Sequence, residues 1–120
     1  ALAYTAYSSR NSRVEIGNDR IRLVGDFWGR EIPFQLINIA DARILDLHKK
    51  SDLAPRRRTF GTGLPGYASG WFKLRNGEKA LVYLSRSTDV AYVPTTDGYS
   101  LLLSVENPHM FIDMLERRLR

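Results

Sequence analysis

The stretch that decides the fold runs from Gly61-Thr-Gly-Leu-Pro-Gly66 to Asn107-Pro-His-Met-Phe-Ile-Asp-Met-Leu-Glu-Arg-Arg-Leu-Arg120. Asn107 is a preferred helix N-cap, and Pro108 already has the φ angle of a first helical residue. Apolar residues then recur at helical spacing and line one face of a terminal helix: Phe111, Ile112, Leu115 and Leu119. Because an isolated helix of about 13 residues is marginal in water, this face must bury against a sheet.

Short segments upstream of the helix predict the strands of that sheet. Asn76-Gly77 is a strong hairpin signal because both residues can take a positive φ, and Gly17-Asn-Asp19 marks another hairpin. Pro33 limits the segment around it to an edge strand. Apolar residues at 36–47 predict a strand over Ala42–Leu47 or a short helix. The other predicted strands are Val14–Ile16, Arg20–Val24, Glu31–Phe34, Gly70–Arg75, Lys79–Leu84, Asp89–Val93 and Tyr99–Val105.

Length and composition limit the class of protein. The chain has 120 residues, 43% of them apolar and 26% charged, which is typical of one globular domain. It has no cysteine, so it has neither disulfides nor a thiolate metal site. Its longest apolar runs are a handful of residues, far short of a bilayer span.

The first residues have a composition of their own. Ala1-Leu-Ala-Tyr-Thr-Ala-Tyr7 is small, apolar or aromatic, and Arg10 and Arg13 follow. Tyrosines followed by arginines are typical of the point where a membrane helix leaves the bilayer. The alternative is an ordinary segment boundary that happens to be rich in tyrosine. We therefore predict a juxtamembrane or linker segment over residues 1–12, with membrane attachment upstream of Ala1, and a domain over residues 13–120.

The positive charge is concentrated in one segment. Residues 1–60 carry a net charge of +4 and residues 61–120 a net charge of +1. A polar, basic loop is predicted from His48 to Phe60, and it offers a candidate site for an anionic ligand or lipid head group, at about 1 kcal/mol per charge near a membrane surface. The alternative is a solvated loop whose cations pair with nearby carboxylates. The candidate residues are Lys49, Lys50, Arg56, Arg57 and Arg58.

Other motifs lack the context that their chemistry requires. Gly61–Gly66 matches G-x-G-x-x-G, but a dinucleotide site needs a strand before it and a helix after it. The glycines are better explained as a sharp bend. His48 and His109 have no metal-binding spacing, and no serine or acid pair forms a catalytic signature. The sequence therefore predicts no cofactor, no metal, no catalytic residue and no enzyme.

Aromatic residues beside basic ones raise the question of nucleic acid. Trp28, Trp71, Phe72, Tyr83 and Tyr92 could stack on bases. Neighbouring residues of a strand face opposite sides of a sheet, however, and a bent sheet uses such residues in its core. No nucleic-acid partner is expected.

The chain resembles the bacterial pleckstrin-homology-like domains over about residues 13–118. The resemblance rests on Arg58-Thr-Phe-Gly-Thr-Gly-Leu-Pro-Gly-Tyr67, Gly70-Trp-Phe-Lys-Leu74, Tyr92-Val-Pro94 and Leu103-Ser-Val-Glu-Asn-Pro108. It implies a mainly β fold, in which a bent antiparallel sheet or partly open barrel of about seven strands is capped by one C-terminal α-helix. The first hairpin loop departs from phosphoinositide-binding relatives, because it is short and acidic, and Arg20 and Arg22 read as the solvent face of a strand.

The resemblance also implies a class of function. It indicates a noncatalytic interaction module of a membrane-attached bacterial protein, which binds a protein partner or self-associates through a sheet edge. Pro33 and Pro94 would blunt pairing at their own edges. The alternative is a small barrel whose pocket beside the Lys49–Arg58 loop binds an anionic ligand or lipid head group.

Overall fold

The computed structural model describes residues 4–8, 12–25, 29–49, 51–64, 67–86 and 88–119, with the backbone alone for residues 4, 6–8, 12, 25, 51, 56–64, 67 and 68. These ranges hold ten strands and one α-helix. The elements are β1 (Tyr4–Ser8), β2 (Ser12–Ile16), β3 (Arg20–Gly25), β4 (Arg30–Pro33), β5 (Arg43–Leu45), β6 (Pro55–Leu64), β7 (Tyr67–Leu74), β8 (Lys79–Leu84), β9 (Val90–Pro94), β10 (Ser100–Leu103) and α1 (Pro108–Leu119). Short 3-10 turns cover Phe34–Leu36, Ile39–Asp41 and Ser51–Leu53.

The strands form two sheets. The first is an antiparallel sheet in the order β1-β2-β3-β4, and the second has the order β5-β9-β10-β8-β7-β6. The predicted fold class, mainly β with one C-terminal helix, is confirmed, although the described residues form ten strands where about seven were expected. An antiparallel arrangement throughout is wrong for β10, which runs parallel to β8. The reason is that β10 lies between β8 and β9, which run in opposite directions. A strand between them must be parallel to one of the two, and β10 is antiparallel to β9.

The first hairpin agrees with the sequence. β2 and β3 pair from Ser12 opposite Gly25 to Ile16 opposite Ile21, and the Gly17 N–H donates to the carbonyl of Arg20 at 2.8 Å. β4 is an edge strand of the same sheet and ends at Pro33. β1 pairs with β2, so part of the predicted juxtamembrane segment adds a strand to this sheet.

The central strands of the second sheet, β8, β9 and β10, are largely buried on both faces. Side chains from one face of β8, β9 and β10 pack against α1 and the first sheet, and among them are Leu81, Val93 and Leu103. Side chains from the opposite face, such as Val82, pack in a second apolar cluster with Leu47 and Leu53, which belong to the segment that joins β5 to β6. The sequences of these strands are therefore nearly continuous apolar runs and do not alternate between apolar and polar residues.

Helix α1 begins and packs as predicted. The N–H of Met110 donates to Oδ1 of Asn107 at 3.1 Å, which is the expected N-cap contact. Phe111 and Leu115 are completely buried between the two sheets. At the other end, the guanidinium of Arg118 donates to the carbonyls of Ile16 and Gly17 at 3.1 and 2.6 Å and so ties the helix to the first hairpin.

Three local predictions are wrong in detail. Pro55–Leu64 forms strand β6, so both the last part of the predicted basic loop and the start of the predicted glycine turn lie in a strand that pairs with β7. Pro65 and Gly66 lie outside the described residues. The predicted strand at Ala42–Leu47 shrinks to Arg43–Leu45. In the turn before β8, Gly77 has a φ of +95°, whereas Asn76 does not have a positive φ.

The buried face of α1 yields a stability prediction. Replacing Phe111 with alanine should lower the free energy of unfolding by about 3–5 kcal/mol, because it removes a large side chain from a closed core. Met110→Ala is the matched control, since Met110 lies one residue away and 46% of it is exposed. Urea denaturation of both variants measures the difference. Equal losses in the two variants would contradict the assigned packing of the helix.

Candidate functional site

The residues of the predicted basic loop lie partly in a turn and partly in a strand. Lys49 is exposed in the turn that follows β5, and its N–H donates to the carbonyl of Asp46 at 3.0 Å. Lys50 lies outside the described residues. Arg56, Arg57 and Arg58 lie on edge strand β6, where only the backbone is described. Their convergence on one ligand therefore stays a prediction.

The exposed face of the first sheet carries balanced charge. Arg22 lies within 3.5 Å of Glu15 and 3.4 Å of Glu31, and Arg20 lies within 2.6 Å of Glu31 and 2.9 Å of Asp19. Arg13 contacts Glu15 as well, at 2.9 Å. The three arginines thus face three carboxylates, which agrees with the interpretation of Arg20 and Arg22 as a solvated strand face. This surface has little attraction left for an anion.

A different surface combines cations with aromatic rings. Trp71 on β7 meets Tyr99 edge to face, with ring centroids 5.3 Å apart. The guanidinium carbon of Arg30 lies 5.6 Å from the ring centroid of Trp71 and 5.0 Å from that of Tyr99. The ammonium nitrogen of Lys79 lies 4.7 Å from the Trp71 centroid. These distances fall within the range of cation–π attraction. With Lys73, the four residues form what we call the cation–aromatic surface.

Lys73 and Lys79 give this surface its charge. They lie directly opposite each other on the antiparallel strands β7 and β8, and both are exposed. Among the residues that the structure describes, neither lysine has a carboxylate within ion-pairing distance. Like charges at directly opposed positions destabilise a strand pair. The surface therefore holds a positive charge that the rest of the described fold does not neutralise.

The rings fix part of the surface in place. Trp71 is half-buried and Tyr99 is 7% exposed, so both are anchored in the apolar core. Burial raises the pKa of the Tyr99 phenol, and the nearby charge of Arg30 partly offsets that rise. Arg30 also faces Asp97, with Nη2 and Oδ2 3.9 Å apart. Arg30 and Lys79 thus lie against anchored aromatic rings and belong to strands, not to loops.

A second polar group lies at one end of the six-stranded sheet and has a structural role. The carboxylate of Glu78 accepts hydrogen bonds from the Tyr92 hydroxyl at 2.9 Å, from the Ser100 hydroxyl at 3.0 Å and from the Asn76 amide. Burial pushes the pKa of Glu78 upward, but these hydrogen bonds outweigh it and hold the pKa below its ordinary value. Both carboxylate oxygens are engaged, so Glu78 ties together β9, β10 and the turn before β8 and leaves no open site.

Sequence reasoning nominated Trp71 for stacking but missed Arg30, Lys73, Lys79 and Tyr99 as a group. Trp71 and Lys73 share a face of one strand, and this period-two spacing was visible. The position of Arg30 was not, because it depends on how the first sheet packs against the second. Within the described ranges, no three His, Asp or Glu side chains are placed to hold a metal ion. No helix of the described part has the length and apolar character that a membrane crossing requires.

Comparison with known proteins places this fold in a family. The family model described as "Bacterial PH domain" matches residues 11–119. The chain therefore belongs to the bacterial PH domain family, which confirms the resemblance seen in the sequence. No curated protein and no solved structure matches the chain significantly.

Glu78 yields a prediction about pH. A carboxylate whose folded-state pKa is lowered stabilises the fold above its unfolded pKa, near 4.5, and loses that contribution as the pH falls through the folded-state pKa. Glu78→Gln should therefore destabilise the protein by about 1–3 kcal/mol near neutral pH and by much less in acid.

Urea denaturation at a series of pH values measures this effect. Glu106→Gln is the control, since Glu106 is exposed in the loop before α1. A Glu78→Gln penalty that stays constant from pH 7 to pH 3 would show that the charge of the carboxylate does not stabilise the fold.

Proposed function

We propose that this chain is a noncatalytic interaction module of a membrane-associated bacterial protein, and that it binds an acidic segment of a protein partner through the cation–aromatic surface. Membership of the bacterial PH domain family supports an interaction module. The observation that carries the proposal further is the pair Lys73 and Lys79, opposed on adjacent strands without a carboxylate of the described residues beside them.

The charge pattern supports an anionic partner. Two lysines at opposed positions repel each other in the free protein, and carboxylates supplied by a partner would remove that repulsion. The face of the first sheet differs, because its arginines are already matched by Glu15, Asp19 and Glu31. A partner with acidic side chains thus gains more from the cation–aromatic surface than from the other basic face.

The aromatic contacts support an acidic partner segment rather than an apolar one. The indole of Trp71 already contacts Tyr99, Arg30 and Lys79, and these contacts engage the ring within the protein. They preorganise the cations, which reduces the entropy lost when an anionic group is bound. Self-association through a sheet edge is the other form of protein binding, and a second copy with acidic residues at its contact would use the same attraction.

A second candidate function is the binding of anionic lipid head groups or another anionic ligand by the predicted basic segment. One backbone observation favours it: Arg57 on β6 pairs in register with Lys73 on β7, which pairs in turn with Lys79 on β8. Basic positions therefore line up across three adjacent strands. Lys49, Lys50, Arg56 and Arg58, the other candidate residues of the basic segment, would add their positive charge to the attraction for a membrane that carries the rest of the protein.

The acidic-segment proposal is tested with a labelled peptide rich in glutamate. Lys73→Gln combined with Lys79→Gln should weaken binding about two- to thirtyfold, because each exposed charge pair contributes about 0.2–1 kcal/mol. Arg20→Gln combined with Arg22→Gln is the matched control, which removes the same charge from the balanced face. Fluorescence anisotropy at two salt concentrations gives the dissociation constants. Equal weakening in both double variants would mean that net charge alone attracts the peptide.

The lipid candidate is tested with vesicles. Changing Arg56, Arg57 and Arg58 together to glutamine should abolish most binding to vesicles that contain phosphatidylglycerol. Each charge removed should cost about 1 kcal/mol of binding free energy. Changing Arg13, Arg20 and Arg22 to glutamine is the control with the same change in charge. Flotation with neutral phosphatidylcholine vesicles gives the background. If the wild type floats with both kinds of vesicle equally, head-group charge is not what it recognises.

A further inference from the structure

Arg30 of the cation–aromatic surface makes an ion pair that joins the two sheets. Arg30 belongs to β4 of the first sheet, and Asp97 lies in the turn between β9 and β10 of the second. Their closest charged atoms are 3.9 Å apart, whereas the other ion pairs given above are 2.6–3.5 Å long. The carboxylate of Asp97 is thus near the guanidinium without the tight contact seen on the balanced face.

Arg30 does not depend on Asp97 for its position. Its guanidinium lies over the rings of both Trp71 and Tyr99, and these rings are anchored in the core. A guanidinium presents several N–H groups in one plane and binds the two oxygens of a carboxylate or phosphate at once. Arg30 is therefore held in place while it keeps hydrogen-bonding capacity for an oxyanion.

Asp97 is free to leave this contact at little cost. Its side chain is about half exposed, and its backbone N–H is held by the hydroxyl of Thr95 at 3.2 Å, so the turn has its own support. Exposed ion pairs are weak, and the loss of one changes a binding constant by at most about fivefold.

We propose that Asp97 is a built-in competitor, which occupies the oxyanion position beside Arg30 in the free protein and is displaced when a ligand's oxyanion binds. This inference rests on the proposed binding of anionic groups by the cation–aromatic surface. The class of ligand group is a carboxylate or a phosphate, bound by the guanidinium of Arg30, and Lys79 beside the same indole ring adds positive charge to the surface. Asp97 then weakens the binding of an anion at this position.

The experiment follows the side-chain Nε–H signal of Arg30 by NMR while inorganic phosphate is added at constant ionic strength. Asp97→Asn should bind phosphate about two- to fivefold more tightly than the wild type, because the competing carboxylate is gone. Arg30→Gln combined with Asp97→Asn should not show this tightening relative to Arg30→Gln alone. For these two variants the phosphate affinity is read from the indole N–H signal of Trp71. The same titration with acetate and with a phosphatidylglycerol head-group analogue shows which source of oxyanion the site prefers.

Asp113→Asn is the matched control. It removes the same charge from α1, where Asp113 is paired with Arg117 at 2.8 Å, and it should leave the affinity for phosphate within about 1.5-fold of the wild type. Equal tightening in Asp97→Asn and Asp113→Asn would overturn the proposal, since it would show an effect of net charge. Unchanged or weaker binding by Asp97→Asn would overturn it as well, as would tightening that persists when Arg30 is also changed.

The two proposals fail separately. If the glutamate-rich peptide does not bind the wild type but Asp97→Asn still tightens phosphate binding through Arg30, the acidic-segment function fails and the competitor role stands. If the peptide binds the wild type through Lys73 and Lys79, and Asp97→Asn changes neither peptide nor phosphate affinity, the competitor role fails alone.

Discussion

Burial of β8, β9 and β10 on both faces is the constraint on which the rest of the structure depends. One face is covered by α1 and the first sheet, and the other by the apolar cluster that includes Leu47 and Leu53. These strands bury nearly all of their side chains, and Lys79 at the start of β8 is exposed, so polar function is confined to the margins of the sheet and to the turns. The cation–aromatic surface lies at such a margin, where Trp71 and Tyr99 join the core to the exposed cations.

Two polar side chains connect elements of the structure around this core. Arg118 ties the end of α1 to the carbonyls of the first hairpin, and Glu78 ties neighbouring strands of the second sheet through hydroxyl groups. Arg30 adds a third link, because it extends from β4 to rings that belong to the other sheet. The surface that binds in our proposal is thus also a junction between sheets, so its geometry depends on how the two sheets pack.

Local patterns predicted what local forces decide. The helix from Asn107 and the hairpin around Gly17–Asp19 were predicted because caps and turns depend on neighbouring residues. β6 was missed because Arg56–Arg58 carries no alternation, and that strand is set by pairing with β7. A two-residue loop at Asn76-Gly77 would pair Lys73 with Ala80. The observed loop is one residue longer and is held by hydrogen bonds to the carbonyls of Asp52 and Ala54, and it brings Lys73 opposite Lys79. No local pattern contains that information.

The place of β10 has a consequence for biosynthesis. It sits between two strands that both leave the ribosome before it does, so the central slot of the sheet stays empty until Ser100–Leu103 has been made. Until then, β8 and β9 carry apolar side chains and unpaired backbone groups that face the gap. Such edges recruit foreign strands, and the growing chain is most open to misassembly during this interval. Synthesis of β10 thus fills the gap and ends the exposure of the backbone groups and apolar side chains of β8 and β9.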